Sequence, residues 1–404
     1  MTSMPATLKI SQRAAQIEPS ATIAAAAQAK QLKSQGIHVY DFTLGEPDFA
    51  TPTHIAQAAR DAIDKGHTHY TPSSGIPELR RAIAQKYRDT CGLAYEPKQV
   101  IVSNGAKHSI HNVLTVLCGP GDEVLIPAPY WVSYSELVKL TGAVPRIIKT
   151  REEDGFKLQP DQLRQAINPR TCLLMLNSPC NPTGSVYSSE ELRELAEVVL
   201  EKELLVLSDE IYEHLVYGGV KCVPFASLHP DLVDRTVTVN GVSKSYAMTG
   251  WRIGWAVGPV EVAGAMDSLQ SQETSNPCSI SQYAALAAME GDQSCVAKML
   301  AEFSRRRGFV LDQLRQFRDI SVTDPQGAFY AFLNVRRHFG RSLGGRVVTD
   351  SAGFCGAALD VAHVAMVPGL AFGAEGYVRM SFASDMAQLQ AGLASLKQLL
   401  GNGS

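Results

Sequence analysis

Five short segments carry residue types that could hold and use an aldehyde cofactor. Ser208-Asp209-Glu210-Ile211-Tyr212 offers an acid and a phenol. Asn240-Gly241-Val242-Ser243-Lys244 offers a primary amine. Ser103-Asn104-Gly105-Ala106-Lys107 sets small residues ahead of a helical pattern. Pro127-Ala128-Pro129-Tyr130-Trp131 offers an aromatic plate, and Asn177 to Gly184 offers amides among prolines. Each follows a short apolar run that reads as a strand. In an open α/β sheet, ligands sit beyond the carboxyl ends of the strands. A lysine, an acid, a tyrosine, an aromatic plate and an amide on one sheet edge are the groups needed by an aldehyde with a pyridine ring and a phosphate.

Each residue also has a plainer reading. Lys244 as a Schiff-base lysine must be neutral to attack a carbonyl, which desolvation and nearby cations favour; otherwise it is a surface lysine. Asp209 could keep a pyridine nitrogen protonated, or cap a helix. Tyr212, spaced one helical turn on, could donate to a ring hydroxyl or pack on the sheet. Gly105 and Ala106 could bring a phosphate to free backbone N–H groups at a helix start, or form a plain turn. Arg252 could clamp the same phosphate as a fork, or be solvated. Trp131 could stack on a ring or belong to the core.

The elements that must position these groups are legible in the periodicity. QVIV, EVLI, CLLML, LLVL, TVTV and IGWAV are nearly continuous apolar runs, expected of strands buried on both faces. Between them come helical stripes, one with Ile55, Ala58, Ala59, Ala62 and Ile63, another with Leu192, Leu195, Ala196, Val199 and Leu200. Ser188 and Glu191 have the spacing of a capping box, and Pro77 suits the first position of a helix. The pattern predicts an α/β large domain with a mostly parallel sheet flanked by helices. A long helix, the runs AFYAFL, HVAMV and YVRMSF, and a final helix predict a smaller α+β domain. Residues 1–48 are expected to pack on the small domain, with 49–294 as the large domain and 295–404 as the small one. The segment 336–350 is expected to be a solvent-exposed loop.

The chain has 404 residues, 45% hydrophobic and 19% charged, with 37 basic and 40 acidic residues and net charge −3. This is globular composition with no basic bias toward nucleic acid or anionic membranes. The motifs GxGxxG, GxxxxGK[ST] and HExxH are absent, which removes the usual support for dinucleotide, P-loop and zincin chemistry. The eight cysteines include no CxxC pair, so free thiols, no metal site and a reducing compartment are expected. Met1–Gln16 has no sustained apolar core and no segment is long and apolar enough to span a bilayer, so a soluble cytoplasmic protein is expected.

At these positions the sequence resembles the class I, fold-type I pyridoxal-phosphate aminotransferases, and within them the bacterial-type aspartate aminotransferase branch. The matching segments are GEPDF (45–49), YTPSSGIPELR (70–80), SNGAK (103–107), PAPYWVSY (127–134), NSPCNPTG (177–184), SDEIYEH (208–214), SKSYAMTGWRIG (243–254), PQGAFY (325–330) and VRMSFA (378–383). The resemblance implies a seven-stranded large-domain sheet and pyridoxal 5'-phosphate as cofactor. It implies Lys244 as the Schiff-base lysine and proton shuttle, with Asp209 on the pyridine nitrogen. Tyr212 and Asn181 match the pair on the ring hydroxyl, and Trp131 the stacking aromatic. Gly105, Ala106 and Arg252 fall at the phosphate site, and Lys107 is expected among the cofactor contacts. Tyr70 resembles a tyrosine given by the neighbouring subunit, which implies a homodimer with shared sites. Arg379 matches the arginine that grips the substrate α-carboxylate, a bidentate task, and Gly45, Asn181 and Trp131 match further substrate contacts. One departure stands out: where many relatives have a phosphate-binding serine three residues before the lysine, this chain has Gly241.

In that branch a lysine at the place of Lys107 bonds the distal carboxylate of aspartate or glutamate, and a threonine like Thr22 closes over the substrate. The expected reaction is transfer of the amino group of L-aspartate to 2-oxoglutarate. The same segments also resemble aspartate/prephenate aminotransferases, so prephenate is the alternative acceptor. A lyase on this fold would not need Lys107, because its substrate lacks a distal acid. A non-catalytic regulator would not need the full set of Lys244, Asp209, Tyr212, Arg252 and Arg379.

Overall fold

The computed structural model describes residues 9–401. The expectation of no leader in Met1–Gln16 therefore lies partly outside the described residues. None of the described helices is long and apolar enough to cross a membrane.

Seven strands form the central sheet: β1 (Val100–Ser103), β2 (Glu123–Ala128), β3 (Val144–Lys149), β4 (Thr171–Asn177), β5 (Leu205–Asp209), β6 (Thr236–Gly241) and β7 (Gly254–Val257). Their order is β1-β7-β6-β5-β4-β2-β3. Only β7 is antiparallel to its neighbours, so the expected mostly parallel sheet is the one that forms. Its apolar residues alternate between two covered faces. Ile101, Val124, Ile126, Leu173, Met175, Leu207 and Val239 pack with the helices 106–117 and 260–273. Val100, Val102 and Val257 pack with 77–91 and 279–290, and Leu125, Leu174, Leu176 and Val206 pack with 189–201. Burial on both faces is why these strands read as unbroken apolar runs.

The helices begin where the sequence marks them. α1 (Thr53–Asp64) buries Ile55, Ala59 and Ala62, while Ile63 points outward. α2 (Pro77–Cys91) opens on Pro77 and ends on left-handed Gly92. α3 (Ala106–Leu117) follows β1 through Gly105. α4 (Ser189–Glu201) carries the full Ser188/Glu191 capping box.

A second, four-stranded antiparallel sheet orders Val367–Pro368, Tyr377–Ser381, Tyr330–Asn334 and Ser321–Val322. Its core gathers Phe303, Val310, Leu314, Phe329, Met380 and Leu393 from the long helix Ser294–Leu314, the strands and the last helix Met386–Gly401. Phe42 enters the same core, and Tyr40–Asp41 pairs in parallel with Val364–Ala365. HVAMV is thus not one strand. Val364–Ala365 serves the N-terminal segment, and Val367 joins the four-stranded sheet.

The expected loop at 336–350 is instead structured. Arg336–His338 form a 3-10 turn, and Ser342–Leu343 pair with Arg346–Val347 as a small hairpin. His338, Leu343 and Val348 are buried. Its charged and glycine residues face solvent, while these three anchor it to the core.

Candidate active site

β2, β4, β5 and β6 end at Ala128, Asn177, Asp209 and Gly241, and all point to one edge of the sheet. Beyond that edge lies a cavity of about 300 Å³. Lys244, Asp209, Tyr212, Asn181, Trp131 and Arg379 line it, and so do Thr22, Gly45, Ala106, Lys107 and Arg252. Gly105 sits directly behind the Arg252 guanidinium. Tyr70 alone of the residues singled out lies elsewhere, 90% exposed on the chain's surface.

Lys244 stands in the turn after β6 and donates to the Gly45 carbonyl at 2.6 Å. Burial pulls its pKa down to about 8 against the pull of Glu46, and Arg252 and Arg379 press it further down. More of the amine is therefore neutral near neutral pH than for an ordinary lysine, and attack on a carbonyl requires the neutral form.

Asp209 is 4% exposed. Burial raises its pKa to about 6, while a hydrogen bond from Tyr134 and one from the Ile211 amide hold it down. A buried carboxylate of this kind favours a cation set against it. The chain beyond β5 is a turn rather than a helix, and it carries Tyr212 to a hydroxyl–hydroxyl bond of 2.9 Å with Tyr330.

Arg379 is 1% exposed. It donates to Asn181 Oδ1 at 2.9 Å and to the Thr43 carbonyl at 2.7 Å, and its guanidinium lies 4.4 Å from the Tyr330 ring centroid. Its Nε has no partner. Among the described residues no carboxylate pairs with it. A buried charge without a counter-charge is costly, and a carboxylate entering the cavity would offset that cost.

At the mouth of the cavity, Gly105 has φ +87° and caps α3 without a side-chain bond. A Cβ there would strike the Arg252 guanidinium, and a Cβ at Gly254 would strike the Ala106 amide. Arg252 itself is left-handed at φ +57° and donates to the Thr249 and Asn104 carbonyls. The uncapped first turn of α3 and the Arg252 fork together fit a phosphate. Gly241 has no side chain to supply the missing serine contact, and a Cβ there would press on the Gly254 Cα and the Ile253 carbonyl at 3.0 Å. Ser243, two residues on, lines the cavity instead.

Lys107 leaves the first turn of α3 with its ammonium 4.8 Å from the Trp131 ring centroid. Burial and then Arg252 lower its pKa. Thr22 lies in the first turn of the helix Ala21–Ser34 and lines the cavity, and its hydroxyl is out of water with no partner.

Tyr134, Tyr330, Thr43 and Ser243 belong to this constellation and were not singled out in the sequence. Tyr134 and Tyr330 lie inside PAPYWVSY and PQGAFY, but a tyrosine in such a run reads equally as packing.

Residues 37–396 match the family described as aminotransferase class I and II. The chain is 48% identical over 393 residues to an aspartate aminotransferase of Geobacillus stearothermophilus, covering 97% of this chain and 99% of that one. It is 45% identical to an aspartate/prephenate aminotransferase of Nitrosomonas europaea, covering 97% and 100%. The crystal structure of the aspartate aminotransferase from Rhizobium meliloti superposes with TM-score 0.95 at 42% identity, covering 98% of this chain and 100% of that one. The aspartate aminotransferase from Thermus thermophilus with maleate superposes with TM-score 0.92 at 40% identity, covering 98% and 100%. With a half-buried lysine and a buried acid beyond the ends of adjacent parallel strands, this chain belongs to the class I and II aminotransferases.

Proposed function

We propose that the chain transfers the amino group of L-aspartate to 2-oxoglutarate, giving oxaloacetate and L-glutamate, with pyridoxal 5'-phosphate as cofactor. The observation that carries this reading is the pairing of cations in one cavity: Arg379, buried without an acid, and Lys107, poised over Trp131. A dicarboxylate satisfies both. The relatives named for aspartate support the same reading.

Lys244 and Asp209 would hold the cofactor at its aldehyde carbon and ring nitrogen. Tyr212 and Asn181 would meet its ring hydroxyl, Trp131 its face, and Gly105, Ala106, Lys107, Ser243 and Arg252 its phosphate. When bound, it supplies an electron sink for the substrate carbon that carries the amino group. Arg379 fixes the α-carboxylate through its planar fork. The lowered pKa of Lys244 suits it to take the proton from that carbon and return it elsewhere. Tyr134 holds Asp209 ionised, and Lys107 reads the distal acid of aspartate and of 2-oxoglutarate alike. Thr22 would close over either substrate beside Gly45.

A second reading keeps prephenate as a further acceptor, since a relative named for it is 45% identical and Thr22 and Lys107 line the same cavity. Initial rates with aspartate as donor and either 2-oxoglutarate or prephenate as acceptor separate the two. A rate with neither overturns both. We also infer a homodimer in which Tyr70 completes the partner's site, a division at 1–48, 49–294 and 295–404, and a cytoplasmic location, which eight free cysteines suit.

A further inference from the structure

The two ends of α3 and β4 that lie away from the cavity meet at a pair of thiols. Cys118 follows the last residue of α3 in extended conformation, and Cys172 is the second residue of β4. Their sulfurs are 3.4 Å apart and share a hydrogen bond. Cys172 also reaches the Glu123 carbonyl at 3.5 Å, and Cys91, Cys180, Cys222 and Cys295 have backbone carbonyls as partners but no second sulfur. We propose that Cys118 and Cys172 form a reversible redox pair that closes to a disulfide under a peroxide and reopens under a thiol reductant.

Three features of the site bear on this. Cys172 is partly exposed and Cys118 is buried, so a small oxidant meets Cys172 first. The 3.4 Å contact also lets one sulfur hold the other's proton, which helps form a thiolate, the nucleophile. Finally, Cys118 leads into Gly119-Pro120-Gly121, with Gly121 at φ +96°. That turn can yield the further approach a covalent bond needs.

The chemistry balances in two steps. The Cys172 thiolate attacks one oxygen of a hydroperoxide; an S–O bond forms, the O–O bond breaks, and an alcohol or water leaves. The Cys118 sulfur then attacks the sulfenic sulfur; the S–S bond forms, the S–O bond breaks, and water leaves with the Cys118 proton. Two electrons pass from the sulfurs to the peroxide. Reduction by a dithiol reverses this through a mixed disulfide.

The crosslink ties residues 54 apart in sequence, so it restrains the unfolded chain. It lies at the other end of α3 from Lys107, a helix of 12 residues and so roughly 18 Å long. Closure therefore raises the melting temperature and leaves turnover unchanged. It is a stabilising clamp rather than an on–off switch.

The test uses the holoenzyme treated with stepwise hydrogen peroxide, quenched by alkylation and mapped by mass spectrometry. The expected result is a Cys118–Cys172 crosslinked peptide formed before other thiols react, a melting temperature higher by several degrees, unchanged aspartate turnover, and full reversal by dithiothreitol. Cys172→Ser, measured alongside, is expected to keep its activity and lose both crosslink and thermal shift. Sulfinic acid at Cys172 without a crosslink, a crosslink between other cysteines, or alkylation of Cys118 and Cys172 undiminished by peroxide would each overturn the proposal.

Discussion

Tyr134 donates its phenolic hydrogen to Oδ2 of Asp209 across 2.5 Å. The acid at the end of β5 is thus held by the first turn of the helix Ser133–Thr141, which the aromatic segment PAPYWVSY leads into. Both groups are nearly sealed from water, with 2% and 4% exposure, so the bond is worth more than it would be at the surface. Tyr134→Phe removes an interaction that favours the carboxylate, and the Asp209 pKa rises. The acid limb of the kcat/KM profile is expected to move up by about one pH unit. A profile that does not shift would show that Asp209 is not the group titrating there.

Glu210, next to Asp209 but turned to the other side of the sheet, gives a stability prediction. It accepts from Ser208 and the Phe225 amide. Burial raises its pKa to about 8. Because the folded value lies above the unfolded one, the folded state binds the proton more tightly. Stability from this group is fully present below about pH 4.5 and is lost as pH rises through 8. Glu210→Gln is expected to flatten the decline between about pH 4.5 and 8 in urea titrations. An equally steep decline in the variant would assign it to other groups.

Lys107→Ala should separate substrates by their distal acid. Losing a charged hydrogen bond costs roughly 1.5–3 kcal/mol, so kcat/KM for aspartate and glutamate is expected to fall about 10- to 100-fold. Alanine and phenylalanine should change much less. Equal losses for all four in steady-state assays would mean that Lys107 serves the cofactor alone.

Tyr70 projects from the surface of the single chain, and its role at the partner's site can be checked by complementation. Lys244→Ala and a Tyr70 variant such as Tyr70→Phe are each expected to be impaired as homodimers. Refolded together, they should recover part of the wild-type rate, because one site in each mixed dimer regains both residues. Mixtures no more active than the sum of the two would place Tyr70 outside the site.

The sheet and the loops at its edge were legible because burial on both faces leaves a strong trace. Val100–Val102 and Leu173–Leu176 have no polar residue to interrupt them. β3 leaves no such trace. It is an edge strand, with only Ile148 of its six residues buried, and Arg146 within it pairs with Glu123. A half-exposed strand with a proline and two basic residues does not stand out from a loop. The hairpin at Ser342–Val347 is hidden for a related reason, since three scattered anchors carry no period. In the site, Lys244, Asp209 and Arg379 could be found from strand ends and family segments. The partners that tune them could not, because Tyr134, Tyr330 and the Thr43 carbonyl act through contacts between distant parts of the chain.

The most direct test is the visible absorbance of the holoenzyme titrated with L-aspartate in the absence of any oxo acid. The cofactor band is expected to bleach, with one oxaloacetate released for each site bleached, and Lys244→Ala should give no release. A band that persists unchanged in saturating aspartate would contradict aspartate as the donor, and with it the role given to Lys107 and Arg379.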